Sequence, residues 1–251
     1  MEVIRSITSE ELGAKAAAYT AKLINACIAE KGECRICLST GASQFTTLSA
    51  LVKEDIDWGK VTCFHLDEYV GLSESHPASF VKYLKERFVA KLPKPLAAFH
   101  FVAPWNYESI DACIADLTAL IREKPIDIGL IGIGENTHIA FNDPPADFDD
   151  MGAYKVVNLD EKCRKQQLGE GWFPTFDDVP KQAISMTVHQ ILECKKIVSA
   201  VPYAVKADAI YKLLNTDYTH MVPATALKRH ADVKVFIDKD SGALVENVFT
   251  V

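Results

Sequence analysis

Apolar residues near the start of the chain recur every three or four positions, the spacing that keeps one face of an α-helix apolar. The apolar positions of this stretch are Leu12, Ala16, Tyr19, Leu23 and Cys27. Thr8 and Glu11 have the spacing of a capping box at a helix start, and Gly32 is a favourable C-terminal cap. The pattern therefore predicts one long helix over residues 9–31.

After Gly32, short apolar runs alternate with helix-like stretches. The predicted strands are CRICLST, VTCFHLDEY (a strand plus a loop), AAFHFVAPW, IDIGLIGIG, YKVVNL, KKIVSAV and DVKVFID. The predicted helices are residues 43–53, SFVKYLKERFVAKL, DACIADLTALIREK and ADAIYKLL. Strands that alternate with helices need crossover connections, which favour parallel pairing. The sequence predicts a three-layer α/β fold, Rossmann-like, with a mainly parallel central sheet, helices on both faces and a single domain over residues 1–251.

One stretch interrupts this alternation. Residues 160–180 contain CRKQQLGEGWFPTFDDVP, which has glycine, proline and aromatic residues without clear periodicity. Long irregular segments in compact domains are often loops that cover a ligand. We expect a short irregular lid around residues 160–180.

The composition is that of a globular protein, with 49% hydrophobic and 24% charged residues. A net charge of −7 without a cluster of Lys and Arg argues against nucleic-acid binding. No apolar run reaches the ~20 residues of a membrane span. Seven scattered cysteines fit a reducing cytoplasm better than a disulfide framework. Cys34 and Cys37 have redox-like spacing but belong to a predicted strand, so packing is favoured, and no metal site is expected.

Three predicted loops follow strands, and open α/β sheets bind ligands at the carboxyl ends of their strands. The first loop lies within residues 38–51 and places Ser39, Thr40 and Gly41 before a helix, whose free N–H groups suit a phosphate. Simple helix capping by Ser43 is the equally weighted alternative. The spacings of a P-loop and of a dinucleotide fingerprint are absent, so no dinucleotide cofactor is expected.

The second and third loops carry acid–base groups. Asp67 and Glu68 follow an apolar strand, and adjacent carboxylates point in different directions, so one can enter a pocket while the other supports it. A solvated pair at a turn is the alternative. Gly134 lets the backbone pass close to a ligand or turn sharply before His138. Asp143 follows soon enough to orient the imidazole, although a satisfied core histidine is the common alternative.

These loops, in this order, resemble the glucosamine-6-phosphate deaminase/isomerase family, which shares its fold with 6-phosphogluconolactonases. The similarity runs from about residue 10 to the C-terminus. It is strongest at LSTGAS, at LDEYVGLSESHPASF and at GIGENTHIAFNDPP. The middle motif is the most specific, because the related lactonases tend to read G-D-E-R there.

The resemblance implies conversion of an amino-sugar 6-phosphate to a ketose 6-phosphate plus ammonia, with no metal or redox cofactor. Asp67 would be the base that moves a proton between C2 and C1. His138 would act as general acid–base in ring opening, and Asp143 would hold and polarise its ring. Glu68 and Gly134 would support the site. The implied phosphate-binding residues are Thr40, Gly41, Ala42, Ser43 and Lys206.

The chain departs from the family pattern at several positions. Ala42 replaces a second glycine, so a positive φ there would be strained. Asp143 stands where the family usually has glutamate and must sit closer to the ring. The phosphate-binding arginine expected near GWF is missing, and Arg164 or Lys165 is the expected substitute. Asn136 replaces an aspartate; it can hydrogen-bond the ring but cannot offset its charge, which indicates either reduced activity or a galactosamine epimer as substrate.

Two other functions stay open at this point. One is lactone hydrolysis, in which His138 would activate water. The other is a non-catalytic sugar-phosphate sensor, although retention of Asp67, His138 and Asp143 argues for chemistry. The expected partner is a small sugar phosphate, with neither nucleic acid nor membrane, and a homo-oligomer is left open.

Overall fold

The computed structural model describes residues 1–169 and 171–245. The strands of this part of the chain are β1 (Glu2–Arg5), β2 (Cys34–Leu38), β3 (Val61–His65), β4 (Asp67–Tyr69), β5 (Ala98–His100), β6 (Ile128–Leu130), β7 (Tyr154–Asn158), β8 (Gln182–Met186), β9 (Lys196–Val201) and β10 (Val233–Ile237). Its α-helices are α1 (Ser9–Lys31), α2 (Phe45–Leu51), α3 (Phe80–Arg87), α4 (Ile110–Arg122), α5 (Glu161–Gly169), α6 (Val188–Leu192) and α7 (Ala207–Asn215).

The central sheet contains seven parallel strands in the order β1-β10-β9-β6-β2-β3-β5. From β2 the chain builds outward through β3 to β5, and from β6 it builds the other way through β9 to β10. The strand order therefore reverses between β2 and β6, and ligands of open α/β sheets bind at such a switch point. The loops that leave these two strands are residues 39–43 and residues 131–138, both predicted to be functional.

Helices cover both faces of the sheet, as predicted. Because side chains alternate along a strand, Ile36 and Leu38 of β2 pack on the face covered by α1 and α2. Cys37 points to the opposite face, where buried residues of α4 and α7 pack. Cys34 and Cys37 are both buried and pack in different clusters, on opposite faces of β2, as the packing interpretation predicts. No helix within the described ranges combines the length and apolarity that crossing a bilayer would require.

The predicted first helix and both of its caps are present. Thr8 accepts a hydrogen bond from the Glu11 N–H at 3.2 Å, and the Glu11 carboxylate accepts one from the Ile7 N–H at 2.7 Å. Gly32 ends the helix with a φ of 81°, and its N–H donates to the Ile28 carbonyl. Since glycine adopts this left-handed conformation without strain, the sequence pattern specified both ends of the helix.

Two predictions about the second half of the chain need correction. The YKVVNL strand is not part of the parallel sheet: as β7 it pairs antiparallel with β8, which also pairs antiparallel with β4. This small sheet lies beyond the carboxyl end of β3, and its β4 starts at Asp67, in a segment predicted to be a loop. The segment 160–180 is not wholly irregular either, because its first half forms α5. Tertiary contacts stabilise both elements more than their local sequence patterns do.

Candidate active site

The loop after β2 forms one wall of a cavity at the switch point. Gly41 has φ 93° and ψ 167°, and Ala42 begins a short 3₁₀ helix that leads into α2. Ala42 is not among the described residues of positive φ, so the strain expected there is absent and Gly41 takes the special conformation instead. The Gln44 amide holds this turn by donating to the Ser43 hydroxyl at 3.1 Å and to the Ala200 carbonyl at 3.1 Å.

Asp67 and Glu68 point in different directions at the start of β4. Asp67 faces the cavity and is only 7% exposed. Burial, with a smaller contribution from the Glu68 charge, raises the pKa of the Asp67 carboxyl to about 8. The Glu68 carboxylate turns away and accepts hydrogen bonds from the Ser79 hydroxyl and the Val81 N–H, at 2.8 and 2.9 Å. It thereby ties β4 to the first turn of α3, where free N–H groups favour an anion.

The loop after β6 places His138 beside Asp143. The Nδ1 atom of His138 lies 2.9 Å from Oδ1 of Asp143, and both side chains are 12% exposed. Burial alone would raise the pKa of Asp143, but the hydrogen bond and charge of His138, together with the Asn136 amide, hold it below its usual range. The shorter carboxylate therefore reaches the ring directly, as the sequence required.

Asn136 has a different role from the one expected. Its side-chain amide donates to Oδ1 of Asp143 at 2.8 Å, and its carbonyl oxygen accepts from the backbone N–H of His138 at 3.1 Å. Asn136 thus hydrogen-bonds the carboxylate and the backbone rather than the imidazole. An aspartate here would bring two carboxylates together, whereas asparagine supplies the donor that Asp143 accepts.

Gly134 is needed for the imidazole rather than for a ligand. A β-carbon at Gly134 would lie 2.2 Å from Nε2 of His138, so any larger residue would displace the ring.

Backbone strain is also found near the cavity: Thr137, Ala140 and Tyr203 are the described non-glycine residues with positive φ. Ala140 and Tyr203 line the cavity, and Thr137 precedes His138. Such strain is usual at functional sites.

The cavity, of about 150 Å³, brings the three predicted loops together. The predicted residues that line it are Thr40, Gly41, Ala42, Ser43, Asp67, Gly134, His138 and Lys206. Glu68, Asn136 and Asp143 do not line the cavity. Glu68 holds the start of α3, whereas Asn136 and Asp143 hold His138. Lys206, which lines the cavity, is 7% exposed and carries a positive charge.

The two substitutes for the missing arginine do not reach the cavity. The Arg164 guanidinium donates to the carbonyls of Phe176 and Val179 and stacks on the Phe176 ring. Lys165 pairs with Glu161 on the exposed side of α5. The α5 residues that do line the cavity are Gln166 and Gln167. Sequence reasoning missed these two residues, because glutamine on a weakly amphipathic helix has no distinctive pattern. It also missed three other lining residues, Glu135, Phe141 and Tyr203.

The chain is similar to proteins of one family. A profile described as glucosamine-6-phosphate isomerases/6-phosphogluconolactonase matches residues 7–236. Glucosamine-6-phosphate deaminase 1 of Bacillus subtilis is 35% identical over 250 residues, which cover 97% of this chain and 99% of that protein. A monomeric glucosamine-6-phosphate deaminase of known structure is 33% identical, covers 97% of this chain and 100% of its own, and superposes with a TM-score of 0.88. A 6-phosphogluconolactonase from Shewanella baltica, at 17% identity and a TM-score of 0.76 over 95% of this chain and 97% of its own, shares the fold.

Proposed function

Because the chain belongs to the glucosamine-6-phosphate isomerase/6-phosphogluconolactonase family, we propose that it converts glucosamine 6-phosphate and water to fructose 6-phosphate and ammonia. The reaction is an isomerisation with deamination. The observation that carries this proposal is that Asp67 and His138 face one cavity, which is also lined by a loop suited to phosphate. The deaminases at 33–35% identity support this activity over lactone hydrolysis, since the lactonase shares only the fold.

Ring opening is the first step of the proposed reaction. The anomeric hydroxyl must lose its proton while the ring oxygen gains one, and a single imidazole can serve both atoms in turn. His138 faces the cavity, and its Nδ1 is hydrogen-bonded to Asp143. Asp143 fixes the ring orientation and stabilises the charge that the imidazole acquires, while Asn136 orients Asp143.

Asp67 carries the second step. The ionised carboxylate removes the proton from C2 of the open-chain aldehyde while the carbonyl oxygen gains a proton from solvent, which leaves an enolamine. The protonated carboxyl then returns its proton to C1, and the nitrogen lone pair forms an iminium at C2. Water then hydrolyses the resulting iminium at C2 and ammonia departs. A carboxyl with a pKa of about 8 is a stronger base than an ordinary aspartate, which helps it to remove the proton from C2. Because this pKa lies near neutral pH, the protonated carboxyl can also return the proton to C1.

The phosphate would bind at the loop after β2, which lines the same cavity. Backbone N–H groups at the turn of Gly41, Ala42 and Ser43 and the hydroxyl of Thr40 are donors that suit phosphate oxygens. Lys206 would add a charged contact. Holding the phosphate here would fix the sugar so that C2 faces Asp67, which supplies the orientation that proton transfer requires.

A panel of substrates tests the proposal. Wild-type enzyme should release ammonia from glucosamine 6-phosphate, and the galactosamine epimer should react more slowly or not at all. Asp67→Asn should abolish turnover and retain binding of the substrate, measured by calorimetry. Hydrolysis of 6-phosphogluconolactone would identify a lactonase instead, and binding without any product would identify a sensor. Normal turnover by Asp67→Asn would show that the assigned base is wrong.

We also propose that the protein acts in the cytoplasm on a small sugar phosphate. All seven cysteines are free, and five of them have 0% exposure, which supports a reducing compartment. Nucleic acid and membrane have no part in the proposed activity. Every residue given a role belongs to one chain, so the proposed activity does not depend on whether the protein forms a homo-oligomer.

A further inference from the structure

His138 and Asp143 also belong to a cluster of three side chains that could bind a metal ion. Cys163 on α5 lies against His138 and Asp143, and one imidazole nitrogen, one carboxylate oxygen and the sulfur all fall within 4.8 Å of one another. Cys163 has no exposed surface, and the proposed reaction gives it no task. The three side chains come from the loop after β6 and from α5, so only tertiary packing brings them together.

The two oxygens of the Asp143 carboxylate differ in their hydrogen bonding. Oδ1 of Asp143 interacts with both Asn136 and His138, whereas Oδ2 is buried and meets no N–H or O–H donor of the described residues. The Cys163 thiol, a weak donor, also interacts with this carboxylate. A buried carboxylate oxygen without a donor is unfavourable unless a cation or water satisfies it. A bound cation would offset this cost.

We propose that His138, Asp143 and Cys163 form a binding site for a thiophilic divalent cation such as Zn²⁺. Imidazole, carboxylate and thiolate are the ligand types that zinc prefers, and ligands under 5 Å apart can surround one ion after small rotations. On binding, the thiol loses its proton to solvent, so that one thiolate and one carboxylate neutralise the ion.

Occupation of this site would inhibit the enzyme. The ion would take the lone pair of the imidazole and the carboxylate that orients it, so His138 could no longer carry protons during ring opening. This consequence rests on the proposed function, whereas cation binding itself does not. Mg²⁺, a hard cation that prefers oxygen ligands in an octahedron, should neither bind here nor inhibit.

A second cluster of the same kind supplies a matched control. Cys27, Cys34 and Asp127 also lie within 4.8 Å of one another. There, however, Lys31 pairs with Asp127, and the other carboxylate oxygen accepts the Arg35 N–H at 2.9 Å. Because these cations and donors already satisfy Asp127, Cys27→Ala should leave cation binding unchanged.

The experiment titrates Co²⁺, a spectroscopic substitute for zinc, into the wild type and the variants Cys163→Ser, Cys163→Ala and Cys27→Ala. Wild type and Cys27→Ala should show a thiolate-to-cobalt charge-transfer band, which both Cys163 variants should lack. Zn²⁺ in chelator-buffered solution should inhibit wild type and Cys27→Ala alike, with each rate referred to that protein's own rate in chelator. The Cys163 variants should need about 100-fold more free Zn²⁺, because even loss of a hydrogen bond to a metal ligand weakens binding 10–100-fold.

The two readouts separate failure of this site from failure of the proposed function. The cobalt band requires no turnover, so a wild-type band that is lost in the Cys163 variants supports the site even if no substrate is found. Absence of the band in the wild type, or its persistence in both Cys163 variants, would overturn the site. Equal zinc inhibition of wild type and Cys163→Ser would show that inhibition arises elsewhere.

Discussion

Asp67→Asn should stabilise the folded protein, and the gain should grow with pH. The Asp67 carboxyl has a pKa of about 8 in the folded protein and a reference value of 3.8. Between these values the folded state holds a proton that the unfolded state has released. Stability therefore falls as pH rises from about 4 to 8, and it changes little outside that window. Asparagine resembles the neutral carboxyl in shape and carries no proton to lose, so the variant avoids this penalty.

The magnitude follows from the two pKa values. Each pH unit inside the window changes the free energy of unfolding by about 1.4 kcal/mol. The variant should exceed wild type by on the order of 1–2 kcal/mol at pH 5 and 4 kcal/mol at pH 7. Above pH 8 the carboxyl ionises in the folded state as well, and the difference should level off. Such a gain at the expense of turnover is the expected trade-off for a buried acid–base group.

Urea denaturation followed by circular dichroism at pH 5, 6, 7 and 8 measures this difference, because contributions shared by the two proteins cancel. The exposed Asp217→Asn is the matched control, the same chemical change at the surface, and its difference from wild type should stay flat. A difference for Asp67→Asn that is constant between pH 5 and 7 would refute the reasoning. It would mean that the carboxyl is already ionised in the folded protein.

Three further predictions concern the same chain. The kcat/KM for glucosamine 6-phosphate should rise about tenfold per pH unit up to about pH 8 and then level, because Asp67 must be ionised to act. A flat profile from pH 6 to 9 would contradict this prediction. Gly134→Ala should lower kcat/KM at least ~100-fold, since its β-carbon would displace the His138 ring; unchanged kinetics would rule out the ring position. Gly13→Ala should destabilise the protein by about 1–3 kcal/mol in urea denaturation, because its β-carbon would lie 2.6 Å from the backbone of Thr46. An increase in stability, as helix propensity alone would give, would show that α1 and α2 can move apart without cost.

Local patterns in the sequence were sufficient wherever one element carries its own signal. Thr8, Glu11 and Gly32 specified the ends of α1, because capping depends on neighbours within a few residues. The alternation of apolar strands with helices specified a parallel sheet, since helical crossovers return the chain in the same direction. The family resemblance rested on three short loops, and the parallel sheet brings their strand ends to one edge.

The tertiary structure decided what the side chains of those loops can do. The pKa of Asp67 depends on burial by residues distant in the chain, so its sequence neighbours could not reveal it. Arg164 was expected at the phosphate, but α5 turns it toward Phe176 and Val179 and presents glutamines to the cavity. The same helix sets Cys163 against His138 and Asp143. Hydrophobic periodicity reports which face of an element is buried; it carries no information about which polar groups from other elements share that burial, and those groups determine the chemistry.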